Sequence, residues 1–384
     1  MDDDRPLDTR EPRSEPNPQA GGAHVIAPGT PSVLGASAAQ APAAPGPSGS
    51  APVPTAVPGA MPSSGPPDPA LGLSSELSLD MPGPLGHDDY HALVRRRMAD
   101  LDALDPLGGG ARLVPGPGLL VALDVDGTIL DLGGRVSERV MAAIARLRTY
   151  GVQVVIATGR GVEAALPVAR HVGLTAGWMV CANGAVTLRM DPERPGGYEI
   201  VETVTFDPAQ AIDALHEAVP DGILAVETPG LPFRVSRPFP DGELIEHSVV
   251  RPLDDLRAAP VSRVILRAPG MDVDRFAEIV GRSGLHSVEY AIGWTAWLDV
   301  APPGVTKASA LEVLAGRLGT DAGHALAVGD GANDVEMLQW AGAGVVMGSA
   351  PQWVQDRGDI VTEPVWHDGC AAVLDALVER TRRI

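Results

Sequence analysis

The chain has a single lysine, Lys307, among its 29 basic residues, and only three asparagines, Asn17, Asn183 and Asn333. Its basic residues form no run longer than Arg95, Arg96 and Arg97, and the formal net charge is −20. Phosphate backbones are held by clustered positive charge that releases counterions, so a nucleic-acid partner is excluded. The same sign disfavours an anionic membrane surface. Two cysteines, Cys181 and Cys370, cannot build a disulfide framework. No apolar run approaches the about 18 residues of a membrane span, and the Met-Asp-Asp-Asp start lacks the basic and apolar regions of a secretory signal. The expectation is a protein of the reducing cytoplasm.

What abounds is Gly (45) and Pro (37), with much Ala and with Arg in place of Lys. That is the imprint of a GC-rich coding sequence, a mutational bias with no functional content. Against it, the surviving Lys and Asn stand out.

Residues 1–86 hold about half of the prolines and no aromatic residue. Ala36–Pro69 has no apolar periodicity, and such a segment cannot offset the roughly 1–2 kcal/mol per residue lost on ordering a backbone. It reads as a disordered tail with no identifiable protein partner. Residues 87–116 read as a helix and hinge. Tyr90, Leu93, Val94, Met98, Leu101 and Leu104 recur at helical spacing from His87 to Leu104, with Asp88 and Asp89 at the end the helix dipole favours. This stripe is expected to pack on the folded core.

From Leu119 the chain alternates strands and helices. Apolar runs at Leu119–Leu123, Val152–Ala157, Trp178–Ala182, Ala325–Val328 and Gly344–Met347 read as buried parallel strands. A helix over Ser137–Thr149 takes Ser137 as its N-cap. The expected fold is α/β: a doubly wound, Rossmann-like parallel sheet formed by residues 117–187 and 301–384. Residues 188–300 break the rhythm, with strands at Tyr198–Thr205, Gly222–Glu227, Phe233–Arg237, Val261–Arg267, Leu285–Ile292 and Thr295–Val300. They read as an inserted α+β cap.

Four motifs follow the C-terminal ends of core strands, where open α/β sheets place their ligands. They bring together Asp124 and Asp126, Thr158-Gly159-Arg160, Asn183-Gly184, and Asp330 with Asn333 and Asp334. So many carboxylates repel unless a cation binds, and oxygen donors without clustered His or Cys point to Mg²⁺. Each acid alone also fits a helix cap or a turn. An EF-hand reading fails because Arg135 stands where the closing Glu is needed. Lys307 opens a helix over Thr306–Leu318, where an ammonium reaches oxygens that a planar guanidinium does not.

Asp124-Val-Asp-Gly-Thr128, Ala157-Thr-Gly-Arg160, Lys307 and Gly329-Asp-Gly-Ala-Asn-Asp-Val-Glu-Met337 together resemble the four motifs of the haloacid dehalogenase (HAD) superfamily. The cap position resembles its Cof-type, class IIB phosphatases. The resemblance spans roughly residues 117–378 and implies a Mg²⁺-dependent phosphomonoester hydrolase. It implies Asp124 as nucleophile, Asp126 as general acid and base, and Lys307 neutralising the phosphoryl oxygens. Thr158, Gly159 and Asn333 would touch the substrate phosphate. Asp124, Asp330 and the main-chain carbonyl of Asp126 would hold Mg²⁺, with Asp334, Arg160, Asn183 and Gly184 in support.

Near the C-terminus, Pro364-Val-Trp-His-Asp-Gly369 keeps the family's acid and glycine but lacks its Asn. Trp366 and His367 could therefore line an entrance or simply pack. The implied substrate is a small phosphorylated metabolite, a sugar phosphate above all, chosen by the cap. Glu227, Arg234, Arg237, His247, Trp294 and Trp297 are the cap candidates. A phosphomutase or phosphotransferase of the same superfamily, or a non-catalytic interaction protein, are the alternative readings.

Overall fold

The computed structural model describes residues 24–25, 83–108, 110–131, 133–244, 246–283, 285, 289–292 and 295–382. Apart from His24, Val25 and residues 83–86, the segment read as a disordered tail lies outside them, as does Trp294. In chain order the elements begin with β1 (His24–Val25), α1 (His87–Leu104), β2 (Leu120–Leu123), α2 (Glu138–Thr149), β3 (Gln153–Ala157), α3 (Val162–His171), β4 (Gly177–Cys181), β5 (Val186–Met190) and β6 (Tyr198–Thr205). There follow α4 (Ala209–Ala218), β7 (Ile223–Glu227), β8 (Phe233–Val235), β9 (Ser248–Val250), α5 (Leu253–Arg257), β10 (Arg263–Arg267), α6 (Val273–Gly281), β11 (Glu289–Ile292) and β12 (Trp297–Ala301). The chain closes with α7 (Lys307–Leu318), β13 (Ala325–Gly329), α8 (Val335–Trp340), β14 (Ala343–Val346), α9 (Gln352–Gln355), β15 (Ile360–Val361) and α10 (Gly369–Thr381).

The nine-stranded sheet has the order β1-β6-β5-β4-β3-β2-β13-β14-β15, parallel from β4 to β15. Every residue of β2 and β13 is buried, as continuous apolar runs in a parallel sheet require. One face is covered by α1, α2, α3 and α10, the other by α7 and α8. The order reverses at β2 and β13, so the crevice of a doubly wound sheet opens at their C-terminal ends. Asp124 and Asp330 leave the sheet there.

Helix α1 lays Tyr90, Leu93, Val94, Met98 and Leu101 into the same core cluster as α10 and α2. Its stripe is thus satisfied within the chain except at Leu104, which is exposed at the end of the helix. Ser137 caps α2 by accepting a hydrogen bond from the Val140 amide.

The second sheet has the order β11-β12-β10-β7-β8-β9 and is antiparallel except at β8–β9. Ile212 and Leu215 of α4, Leu256 of α5 and Phe276 and Val280 of α6 cover one of its faces. This is the inserted α+β cap. Tyr198–Thr205 is a correction to the expected range 188–300: as β6 it pairs antiparallel with β5, and β5 with β4, so it extends the core sheet. Alternation along a strand marks its faces but does not say which sheet it joins.

Candidate active site

Asp124 follows β2 directly and is buried, its amide donating to the Val328 carbonyl of β13. Lys307 is fully buried at the first position of α7, where Thr306 and Ser309 form a reciprocal capping box. Its Nζ donates to Asp124 Oδ1 at 2.6 Å and to Asp334 Oδ1 at 2.6 Å. Burial works to lower the lysine pKa, yet the two carboxylates outweigh it and hold the group above its ordinary value. The ammonium is therefore charged and locked between its partners.

Asp334 is spoken for on both oxygens, because Oδ2 accepts the amides of Asp330 and Gly331 at 2.9 Å each. Gly329 makes room for it; a Cβ there would stand 2.5 Å from the Asp334 carboxyl carbon. Asp330 is different. Its Oδ2 is buried with no hydrogen-bond partner. A Cβ at residue 127 would lie 2.1 Å from that oxygen, so only glycine fits against it, and Gly127 also has a φ of +79°.

Asp124, Asp330 and Asp334 each offer an oxygen within 4.8 Å of the others. Burial, reinforced by the charge of Asp334, pushes the Asp124 carboxyl up to about 7 against the pull of Lys307. Burial and the neighbouring Asp124 and Asp334 raise Asp330 well above the usual carboxylate range. Buried oxygen donors, one of them orphaned, fit a hard divalent cation such as Mg²⁺. Since Asp334 has both oxygens engaged, Asp124 and Asp330 are the side chains left to face it.

The Asp126 carboxylate is partly exposed beside this cluster and makes its hydrogen bonds outside it. Arg160 holds it in a fork, Nε to Oδ2 at 2.9 Å and Nη2 to Oδ1 at 2.6 Å. Burial disfavours the guanidinium charge, but Asp126 more than restores it. Thr158 is buried at the end of β3, and its Oγ1 accepts the Arg160 amide at 3.1 Å, which leaves its own proton free to donate.

Asn183 sits in the left-handed region at φ 53°. Its Oδ1 accepts from Asn333 Nδ2 at 2.9 Å, joining two motif loops over Gly159. Gly184 touches no reacting group; it lies against the Thr306 carbonyl at the start of α7.

The cap candidates divide. Arg234 and Arg237 donate to cap backbone carbonyls, and Trp297 packs on Phe239. The His247 carbonyl accepts the Phe233 amide. Glu227 is buried and paired with Arg263 at 2.8 Å, and Arg263 also reaches Asp299 at 3.2 Å and the Gly159 carbonyl of the core. Arg263 and Asp299 were not singled out from sequence, although a charge inside an apolar strand run was the available signal. At the C-terminus, Trp366 packs against the main core and Asp368 pairs with Arg139 at 2.7 Å.

A doubly wound core, a capped crevice and a lysine-bridged carboxylate cluster define a capped α/β enzyme whose acidic crevice is built around one buried ammonium. The profile of haloacid dehalogenase-like hydrolases matches residues 121–219 and 248–374. The chain belongs to that family, in its Cof-type branch. It is 29% identical over 238 residues to an HMP-PP phosphatase of Serratia proteamaculans, covering 60% of this chain and 84% of that one. A phosphoglycolate phosphatase of Methanoculleus marisnigri is 29% identical over 253 residues, 64% of this chain and 91% of the relative. A solved HAD-superfamily phosphatase from Bacteroides thetaiotaomicron shares the fold, with TM-score 0.56 and 24% identity over 71% of this chain and 97% of the other.

Proposed function

We propose that this phosphatase is a Mg²⁺-dependent phosphomonoester hydrolase that works through an aspartyl-phosphate on Asp124. Its substrate would be a small phosphorylated metabolite, a sugar phosphate in the first instance, and its compartment the cytoplasm. The observation that carries the reading is the buried Lys307 ammonium bridging Asp124 and Asp334 beside the orphaned oxygen of Asp330.

An Asp124 oxygen attacks phosphorus while the ester P–O bond breaks, and Asp126 gives a proton to the departing oxygen. Asp126 then takes a proton from the attacking water, the bond from Asp124 to phosphorus breaks, and phosphate leaves. Lys307 orients Asp124 and opposes the burial that favours its protonated form, and it neutralises the phosphoryl oxygens in the transition state. Thr158 donates its free hydroxyl proton to the phosphoryl group, and the Gly159 amide and the Asn333 side-chain amide border the same space. Arg160 positions Asp126 between its two proton transfers. Asp124, Asp330 and the Asp126 main-chain carbonyl would hold Mg²⁺, which when bound would supply the remaining charge neutralisation.

The test is p-nitrophenyl phosphate turnover in Asp124→Asn, expected to fall by about a thousandfold or more with the circular dichroism unchanged. Wild-type activity should vanish in EDTA and return with Mg²⁺. Full activity in Asp124→Asn, or indifference to EDTA, would overturn the mechanism.

A further inference from the structure

One face of the cap sheet is turned to the core loop that follows β3, and it carries charge where a buried sheet face ordinarily carries Val or Ile. Glu227 on β7 and Arg263 on β10 are direct cross-strand partners. Asp299 on β12 is opposite Ile265, two residues along from Arg263, and so shares that face. The side chains of Glu227 and Arg263 are each 5% exposed. Arg263 donates Nε to Glu227 and Nη1 to Asp299 and to the Gly159 carbonyl. Glu246, on the loop before β9, closes the group. A Cβ at Gly161 would stand 2.7 Å from Glu227 Oε1 and 2.9 Å from Glu246 Oε1. On the other side of the loop Asn183 and Asn333 border Gly159, and cap strand β11 lies against the Ala332–Asp334 turn. This charged wall therefore stands over the loop whose Thr158 faces the phosphate.

Three carboxylates share one guanidinium in the wall, and that guanidinium already serves two of them and a carbonyl. Of the other cations beside it, Arg160 is engaged by Asp126, and Lys307 by Asp124 and Asp334. Among the described residues of this wall no cation is left over for a second anionic group on the substrate, and like charge at such a contact costs several-fold to many-fold in affinity. Carboxylates are good acceptors for hydroxyl and ammonium donors.

We propose that Glu227, Asp299 and Glu246 read the leaving group, admitting phosphomonoesters of neutral polyols or amines and rejecting those with a second negative charge. This rests on the phosphomonoester hydrolase reading and narrows its substrate class. It also separates the chain from the relative named for phosphoglycolate.

The experiment compares kcat/KM, with Mg²⁺, for the best of glycerol phosphate, glucose phosphate and phosphoethanolamine against the best of phosphoglycolate, phosphoglycerate and a sugar bisphosphate. Wild type should favour the first set by about tenfold or more, and the ratio should shrink as salt screens the wall. Glu246→Lys, at a half-buried loop position, should lower the ratio about tenfold or invert it. Glu227→Gln should raise KM for the preferred ester more than for p-nitrophenyl phosphate, a split that mere loosening of the cap would not produce. A wild-type ratio near or below one, or a ratio that Glu246→Lys leaves unmoved, overturns the inference while the hydrolase reading stands. Absence of Mg²⁺-dependent turnover on every ester overturns both.

Discussion

The carbonyl oxygen of Thr306 lies 2.2 Å from the point where a side chain at residue 184 would begin, so Gly184 and the start of α7 are in direct backbone contact. Gly184 has a φ of +103°, a region closed to L side chains. An added methyl must push α7 away, and Lys307 is the next residue along. Gly184→Ala should therefore cost about 1–3 kcal/mol of stability and lower kcat/KM by about tenfold or more, measured by thermal denaturation and p-nitrophenyl phosphate turnover. Wild-type values in both would show that the contact relaxes without moving the lysine.

Lys307 itself tolerates no substitute on geometric grounds. Its ammonium is fully buried and hydrogen-bonded at 2.6 Å to two carboxylates. Lys307→Arg must fit a larger planar group into that space and should lose about a thousandfold in turnover. Lys307→Met removes the charge and leaves two buried carboxylates facing each other, a destabilisation of about 3–5 kcal/mol in EDTA. Added Mg²⁺ should recover part of that stability but none of the activity. A Lys307→Arg enzyme with wild-type kcat would refute the assignment.

Much of this site is legible in the chain itself, and for physical reasons. Asp124 and Asp330 each end an uninterrupted apolar run, and a buried parallel strand must stop where polar residues begin. Lys307 stands out because everything else basic is Arg. The Arg160–Asp126 fork is not legible, since a spacing of 34 residues says nothing about side-chain direction. Nor is the Glu227–Arg263–Asp299 group, which exists only because β7, β10 and β12 adopt one particular register. The same blindness to strand partners assigned Tyr198–Thr205 to the cap instead of the core sheet.

The carboxylate cluster sets how stability responds to pH in the absence of metal. The folded Asp124 carboxyl is pushed up to about 7 by burial and by Asp334, and Asp330 moves in the same direction. The folded state thus binds these protons more tightly than the unfolded chain, whose Asp titrates near pH 4. Stability from this source is fully present below the unfolded value and is lost as pH rises through the folded one. In EDTA the Tm should fall between about pH 5 and pH 8. Mg²⁺ competes with the same protons, so the Tm increment it gives should grow over that interval. An increment that shrinks with rising pH would count against a metal held by these carboxylates.

The N-terminal segment and α1 should behave oppositely on deletion. None of the described contacts of the site involves residues 1–86, and turnover on their removal should remain within about twofold. Removal through residue 104 uncovers the face of α10 and α2 on which Leu93, Leu101 and their neighbours pack. That protein should aggregate or melt well below the full chain, as large apolar faces do in water. Loss of activity on the shorter deletion would give the segment a role that none of the described contacts supplies.

Asp105, just past α1, ties that helix to the rest of the core. Its carboxylate accepts the amides of Arg112 and Leu113 and one bond from Arg380 Nη2 at 3.1 Å, while its carbonyl takes another from the same nitrogen at 2.6 Å. Arg380 is completely buried on α10, and its Nε and Nη1 have no hydrogen-bond partner. Asp105→Ala therefore leaves the buried guanidinium with only its longer ion pair to Asp102, at 3.6 Å, and strands two amides, a loss of about 3 kcal/mol. Replacing Arg380 with Met at the same time removes the buried charge and should recover more than half of that loss, since an apolar chain of similar length can fill the space. A double variant no more stable than Asp105→Ala alone would mean that the amide contacts, and not the buried charge, hold α1 to the core.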